Sequence, residues 1–232
     1  MARMKWNKQF SYPKSTKSFI SGSRHYDVNQ EKLPSVTAIL SATASEEKKA
    51  ALKAWKEKVG HQEAEKIKAE ASSRGTSMHS FIEQYLLGQQ NMQLIEEKNQ
   101  AKKMAQEIID NGLNGKLTEI WGAEATLHYP KLYAGTADCI GVYQGQESIL
   151  DFKQSNKPKI EQFIEDYFLQ LAAYSLAHNK VYSSKITQGV VLICTVDNLF
   201  QSFKIEDEKL IKYEKKFLEK VNQYYEQQSK NK

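Results

Sequence analysis

Cysteine is nearly absent from this 232-residue chain, and the two it has, Cys139 and Cys194, sit inside apolar, strand-like runs. Two cysteines cannot build a four-cysteine zinc or iron–sulfur site, so an iron–sulfur cluster is excluded. Their setting reads as reduced core thiols of a cytosolic-type compartment. Long apolar runs are missing as well. None approaches the roughly 20 residues that a membrane helix needs, so no membrane association and no secretory signal peptide are expected. Arginine is scarce, with only Arg3, Arg24 and Arg74. Acids are missing from residues 1–24, which carry Arg3, Lys5, Lys8, Lys14, Lys17 and Arg24. With those six cations set aside, a chain of net charge +5 is close to neutral elsewhere, at −1. Internal repeats and low-complexity segments are also absent.

What is there supports a packed core, since 40% of the residues are hydrophobic. The length suits one domain with an appendage. We therefore expect a basic, flexible arm over residues 1–24 and a single domain over 25–232. The arm also carries Trp6, Phe10, Tyr12 and Phe19. Cations interleaved with aromatics suit phosphate contact and base stacking on single-stranded nucleic acid. A solvated tail and an organelle-targeting segment remain open readings of the same stretch.

Along the chain, Arg24–Val28 reads as a short extended piece. A short helix follows near Leu33–Leu40, capped by Ser35 or Thr37. The Ala-, Lys- and Glu-rich stretch from Ser45 to about Ala71 has helical propensity, with Gly60 as a break. A separate helix is expected from a cap at Thr76 or Ser77, through Met78, Phe81, Ile82 and Leu86, to Gly88. Another spans Met92 to Ile109. This helical part (33–116) precedes a sheet-containing part (117–205). Its strands are expected at Thr118–Tyr129, Tyr133–Tyr143, Ser148–Lys153, Ile186–Val196 and Leu199–Ile205, with a helix over Ile160–His178. A charged amphipathic helix closes the chain at 206–228. The fold class is thus mixed α/β (α+β), helical in the first half and then strands alternating with helices.

The stretch Gly135-Thr-Ala-Asp138 through Asp151-Phe-Lys153 carries the chemistry. Residues two apart on a strand share a face, so Asp151 and Lys153 point the same way. If the two strands pair across the Gln144–Glu147 turn, Asp138 lies near Asp151. Two carboxylates so close repel unless a cation sits between them. Oxygen ligands select a hard ion such as Mg²⁺. A lysine beside that ion can position a water for phosphodiester hydrolysis. The competing reading is an exposed ion pair on a hairpin. Further candidates are His79 and Glu83, four apart on one helical face, and Glu124, an acid inside an apolar strand. Gln170 and Tyr174 share another helical face. Arg74 has the planar fork suited to phosphate.

The order His79, Glu124, Asp138, Asp151-Phe-Lys153, Gln170-x-x-x-Tyr174 resembles the PD-(D/E)XK nuclease superfamily, and within it the RecB-type exonuclease branch. Leu33-Pro-Ser-Val-Thr37 and Arg74-Gly-Thr-x-x-His79 are similar to the group of mitochondrial genome maintenance exonucleases and their phage and bacterial relatives. The chain departs from the superfamily's name in having Thr136-Ala137 where a proline would precede Asp138. The resemblance implies a restriction-endonuclease-like core and a Mg²⁺-dependent DNase, with Mn²⁺ able to substitute. It implies Asp138, Asp151, His79 and the carbonyl of Phe152 as metal ligands, with Glu124 as a further ligand or a partner of one. Lys153 would act on the attacking water. Gln170, Tyr174 and Arg74 would contact substrate.

The expected function is then a DNA exonuclease acting on single-stranded ends or flaps in replication, repair or recombination. Separate replication or recombination proteins would be its partners. Its setting would be the cytoplasm or nucleoid of a bacterial or phage-infected cell, with an organelle also open. The same residues suit a structure-selective endonuclease or an RNase. A non-catalytic nucleic-acid-binding module is the alternative of a different class.

Overall fold

The computed structural model describes residues 4–89 and 99–230. The chain runs β1 (Lys5–Trp6), β2 (Thr16–Ile20), β3 (Ser23–Val28), β4 (Glu31–Pro34), α1 (Val36–Ala42), α2 (Glu46–Val59), α3 (His61–Leu86) and α4 (Gln100–Ile108). It continues through a π-helical turn into β5 (Leu117–Tyr129), β6 (Tyr133–Tyr143), β7 (Gln146–Ser155), α5 (Glu165–Tyr182), β8 (Gln188–Thr195), β9 (Phe200–Glu206) and α6 (Asp207–Lys230).

Six strands form a mixed sheet in the order β1-β5-β6-β7-β8-β9, and β2-β3-β4 form a separate meander. Within the larger sheet, β1–β5 and β7–β8 are parallel and the other pairs antiparallel. The helix α5 is the crossover that the parallel β7–β8 pair requires. Every residue of β8 (Gln-Gly-Val-Val-Leu-Ile-Cys-Thr) is buried, as expected of a strand covered on both faces. One apolar layer joins the sheet to α1, α5 and α6 through residues such as Ile149, Val191, Phe168 and Phe217. The other joins it to α3 and α4 through Leu150, Leu192, Met78 and Met104. Each fully buried side chain of this kind contributes about 1.5–3 kcal/mol, so both helical layers are held to the sheet.

The mixed α/β architecture agrees with the expectation, and Ser35 and Ser45 cap α1 and α2 as read, accepting from Ala38 and Lys48. Several expectations need correction. Residues 4–24 are not a flexible arm. Trp6 donates its indole N–H to the Leu86 carbonyl at 2.8 Å, and β1 extends the sheet beside β5. Phe10 packs its ring 5.3 Å from Trp121 and 4.8 Å from His178, and Tyr12 bonds His178 at 3.0 Å. The aromatics that suggested base stacking bury apolar area instead, with Phe19 as the exception. No helix starts at Thr76 or Ser77, because α3 runs unbroken from His61 to Leu86. Packing of Met78, Phe81, Ile82 and Leu86 outweighs the weak propensity of Ser72-Ser-Arg-Gly-Thr76. The helix expected at Ile160 begins at Glu165, after a 3₁₀ turn at Glu161–Phe163. Of the helix read over Met92–Ile109, residues 92–98 lie outside the described residues. No helix among the described residues is long and apolar enough to cross a membrane.

Candidate active site

The site forms where two neighbouring strands part. The β6–β7 ladder is paired from Tyr143↔Gln146 to Cys139↔Leu150 and then ends. Beyond that point β6 continues beside β5 to Tyr133, and β7 continues beside β8 to Ser155. The next two residues in register are Asp138 and Asp151, one on each arm of the fork. At the fork, the Phe152 N–H donates 2.7 Å to Asp138 Oδ2, so a side-chain carboxylate takes the place of the missing ladder carbonyl.

Alternation does the rest on β7. Leu150 and Phe152 enter the core under α3 and α4, while Asp151 and Lys153 turn the other way. Asp151 is only 1% exposed. The Lys153 ammonium lies 2.5 Å from both of its oxygens, with hydrogen-bond geometry to Oδ1. Oδ2 is buried and accepts no hydrogen bond. Lys153 also sits 5.3 Å over the Tyr167 ring of α5.

Opposite this pair, α3 delivers His79 from between the buried Met78 and Phe81. Its Nδ1 is 3.5 Å from Asp138 Oδ1 and 3.8 Å from Glu124 Oε1. Glu124 reaches this point through an unusual backbone. It lies between the paired residues Ala123 and Ala125 of β5 and has φ +47, a left-handed conformation disfavoured for a side chain such as glutamate. Strain of this kind, about 1–3 kcal/mol, gathers at functional sites.

The electrostatics follow from three carboxylates around one imidazole and one ammonium. Burial opposes protonation of His79, yet Asp138 and Glu124 raise it to about 9. Burial pushes the Asp138 carboxyl up to about 7 against the pull of His79, and Asp151 adds to the rise. Burial favours a neutral Lys153, but Asp151 and Asp138 overcome it and hold the ammonium above its usual value. Burial and Glu124 likewise raise Glu83, one turn along α3 from His79. Fully ionised, the three carboxylates outweigh the imidazolium and the ammonium by one negative charge, and burial makes that excess costly.

A divalent cation suits that charge. His79, Glu124 and Asp138 each offer a ligand atom, all within 4.8 Å of one another. The buried Asp151 Oδ2 is a further hard donor, although Asp151 lies outside that group of three and is ion-paired with Lys153 at 2.5 Å. Carboxylate oxygens with a single imidazole suit Mg²⁺ or Mn²⁺ better than a thiolate-seeking metal.

The chain is 30% identical over 213 residues to mitochondrial genome maintenance exonuclease 1 of Mus musculus, a match covering 87% of this chain and 61% of the relative. The Homo sapiens protein of that name is 27% identical over 175 residues, covering 71% of this chain and 50% of the relative. The chain is thus similar to proteins named mitochondrial genome maintenance exonuclease 1. It spans about three fifths, or 61%, of the mouse relative's length. No family model matches it. Among solved structures, an alkaline exonuclease from Laribacter hongkongensis overlaps 65% of this chain and 80% of its own, at 14% identity and a TM-score of 0.32.

The residues picked from sequence are unevenly gathered. A cleft of about 490 Å³ is lined by His79, Glu124, Asp138, Lys153, Gln170 and Tyr174 among others. Gln170 donates to the Tyr174 hydroxyl at 3.3 Å, and Tyr174 packs over β6 because Gly135 lacks a side chain. A Cβ there would lie 2.7 Å from the Tyr174 ring. Arg74 is not among the cleft's lining residues; its guanidinium donates to Gln154 at 3.0 Å and to Asn156. The Phe152 side chain is core, and its N–H is what touches the site. Sequence reading passed over Tyr26 and Thr136 and put Lys17 and Arg24 in a basic arm rather than at the site, yet all four line the cleft. The Ser21-Gly22 pair could have found three of them, since it signals a hairpin that turns this segment back on itself.

Proposed function

We propose that the chain is a divalent-metal-dependent deoxyribonuclease, an exonuclease that removes nucleotides from single-stranded ends or flaps of DNA. The observation that carries this reading is the strand fork. It sets the buried Asp151 carboxylate and its Lys153 partner beside the His79–Glu124–Asp138 donor cluster. His79, Glu124 and Asp138 would hold Mg²⁺, with Mn²⁺ able to substitute, and Asp151 would add a ligand oxygen. Bound there, the ion supplies Lewis-acid activation of water and charge neutralisation at the scissile phosphate. Lys153, aligned by Asp151 on one side and the Tyr167 face on the other, orients the attacking water. It also stabilises charge that builds on the phosphate oxygens. Gln170 and Tyr174 hold the substrate against β6.

The names of the relatives point to the upkeep of a genome, and we place the activity in replication, repair or recombination, beside separate proteins of those processes. The nucleoid of a bacterial or phage-infected cell, or an organelle, is the setting that suits it. The direct test is cleavage of end-labelled linear DNA with Mg²⁺, with Mn²⁺ and with EDTA. Metal-dependent release of labelled nucleotides supports the reading. Retained binding with no cleavage under any metal would replace it with a binding module.

A further inference from the structure

We infer that one face of the β2–β3 hairpin is a binding track for single-stranded DNA, with Lys17 and Arg24 on phosphates and Phe19 stacking on a base. This rests on the nuclease reading above and specifies how its substrate is held. The hairpin closes through Ser21 and Gly22, at φ +50 and +76, the paired positive angles of a tight two-residue turn. Its register places Lys17 opposite Tyr26 and Phe19 opposite Arg24. Residues two apart share a face, and directly opposed residues share it too. These four side chains therefore form one continuous surface of alternating cation and aromatic ring.

That surface begins at the catalytic fork. Tyr26 is buried, and its hydroxyl bonds Thr136 Oγ1 at 3.1 Å, two residues along β6 from Asp138. Lys17, Arg24 and Tyr26 line the same cleft as His79 and Lys153. The Lys17 ammonium lies 5.7 Å over the Tyr26 ring. Further out, Arg24 spends one arm on Thr37 Oγ1 at 2.6 Å. Phe19 stands at the tip, 72% exposed.

Charge decides the occupant. Neither Lys17 nor Arg24 is in an ion pair among the described residues, whereas Lys32, on the hairpin's opposite face, pairs with Asp27 at 3.3 Å. A face with two cations outside any ion pair among the described residues and an exposed ring, leading out of a carboxylate-rich site, fits a polyanion whose bases are free to stack. In duplex DNA the bases are already stacked on one another, so the ring would have nothing to cover.

The test uses the full chain in EDTA, with a fluorescein-labelled oligothymidylate and a blunt duplex of equal length. Phe19→Ala should weaken binding of the single strand about tenfold, within the range of one lost base stack, and leave the salt dependence unchanged. Phe19→Trp should restore binding. Duplex binding should not respond to either. The pair Lys17→Gln and Arg24→Gln should make the log–log salt slope shallower by about 1.4, from two lost phosphate contacts on a single strand. Phe19 lies on the surface, so its replacement leaves the fold intact, and thermal melting confirms this for every variant. Variants that bind the oligonucleotide as wild type does, while wild type still cuts DNA, would overturn the track and leave the nuclease standing. An equal Phe19 effect on the duplex would overturn stacking. A wild-type chain that neither binds nor cuts DNA would overturn both.

Discussion

Asp138→Asn should make the metal-free protein more stable while abolishing its activity. The carboxylate sits at the strand fork, where burial drives its pKa from 3.8 to about 7. An ionised Asp138 is thus unfavourable in the fold compared with the unfolded chain. Each pH unit of displacement corresponds to about 1.4 kcal/mol, which sets a ceiling of about 4 kcal/mol. The hydrogen bond from Phe152 and the nearby His79 do not depend wholly on the charge, because an amide oxygen can still accept from Phe152. We expect the amide to stabilise the protein by about 2 kcal/mol at pH 8. The sign of the pH dependence is fixed. A carboxyl whose folded pKa is raised favours the fold at low pH, and this contribution is lost as pH rises towards 7. The advantage of the variant should therefore grow between pH 4 and pH 7 and level off above. Urea denaturation in EDTA measures it directly. With Mg²⁺ or Mn²⁺ at about 100 times its dissociation constant, wild type should gain about 2.7 kcal/mol, and the variant much less. A variant that is less stable than wild type in EDTA would refute the idea that Asp138 is held against its own burial.

Three further predictions follow from single contacts. Lys153→Ala should lower cleavage by at least about a thousandfold, in keeping with loss of charge stabilisation and of water positioning, while binding in EDTA changes little; substantial residual cleavage would remove Lys153 from the chemistry. His178, whose pKa is pushed down to about 4 by burial, favours the fold above its unfolded pKa of 6.5, and this contribution fades as pH falls towards 4. Stability should accordingly drop by about 2 kcal/mol between pH 6.5 and 5, and His178→Gln should flatten that drop in denaturation curves. Because Glu124 holds φ +47, Glu124→Gly should be about 1 kcal/mol more stable than Glu124→Ala; equal melting temperatures would argue against backbone strain at this position.

The pairing at the strand fork was legible because local rules suffice there. Period-two alternation puts Asp151 beside Lys153, and the Gln144-Gly145 turn at φ +51 and +84 sets β6 against β7. The continuous apolar run of β8 announced its burial on both faces. What escaped was set by distant partners. The strand β1 pairs with a segment more than a hundred residues away, and nothing in Lys5-Trp6 announces that. Charge counting made residues 1–24 look like a tail, although Phe10 and Tyr12 are anchored on His178 and Trp121. The placement of Glu124 depends on its own left-handed backbone, in a strand that also carries two register shifts, and sequence periodicity does not carry such features. Arg74 was singled out for its rarity, but Gln154 at the far end of β7 and Asn156 just beyond the strand decide where it points.

The most direct test of the central claim is digestion of 5′- and 3′-labelled single-stranded, duplex and circular DNA, with Mg²⁺ and with EDTA. The account predicts that linear single strands are degraded only with the metal, that circles are spared, and that the label gives the polarity. Cut circles would contradict the exonuclease reading in favour of an endonuclease. Bound but uncut DNA under Mg²⁺ and Mn²⁺ alike would contradict catalysis at the Asp138–Lys153 fork altogether.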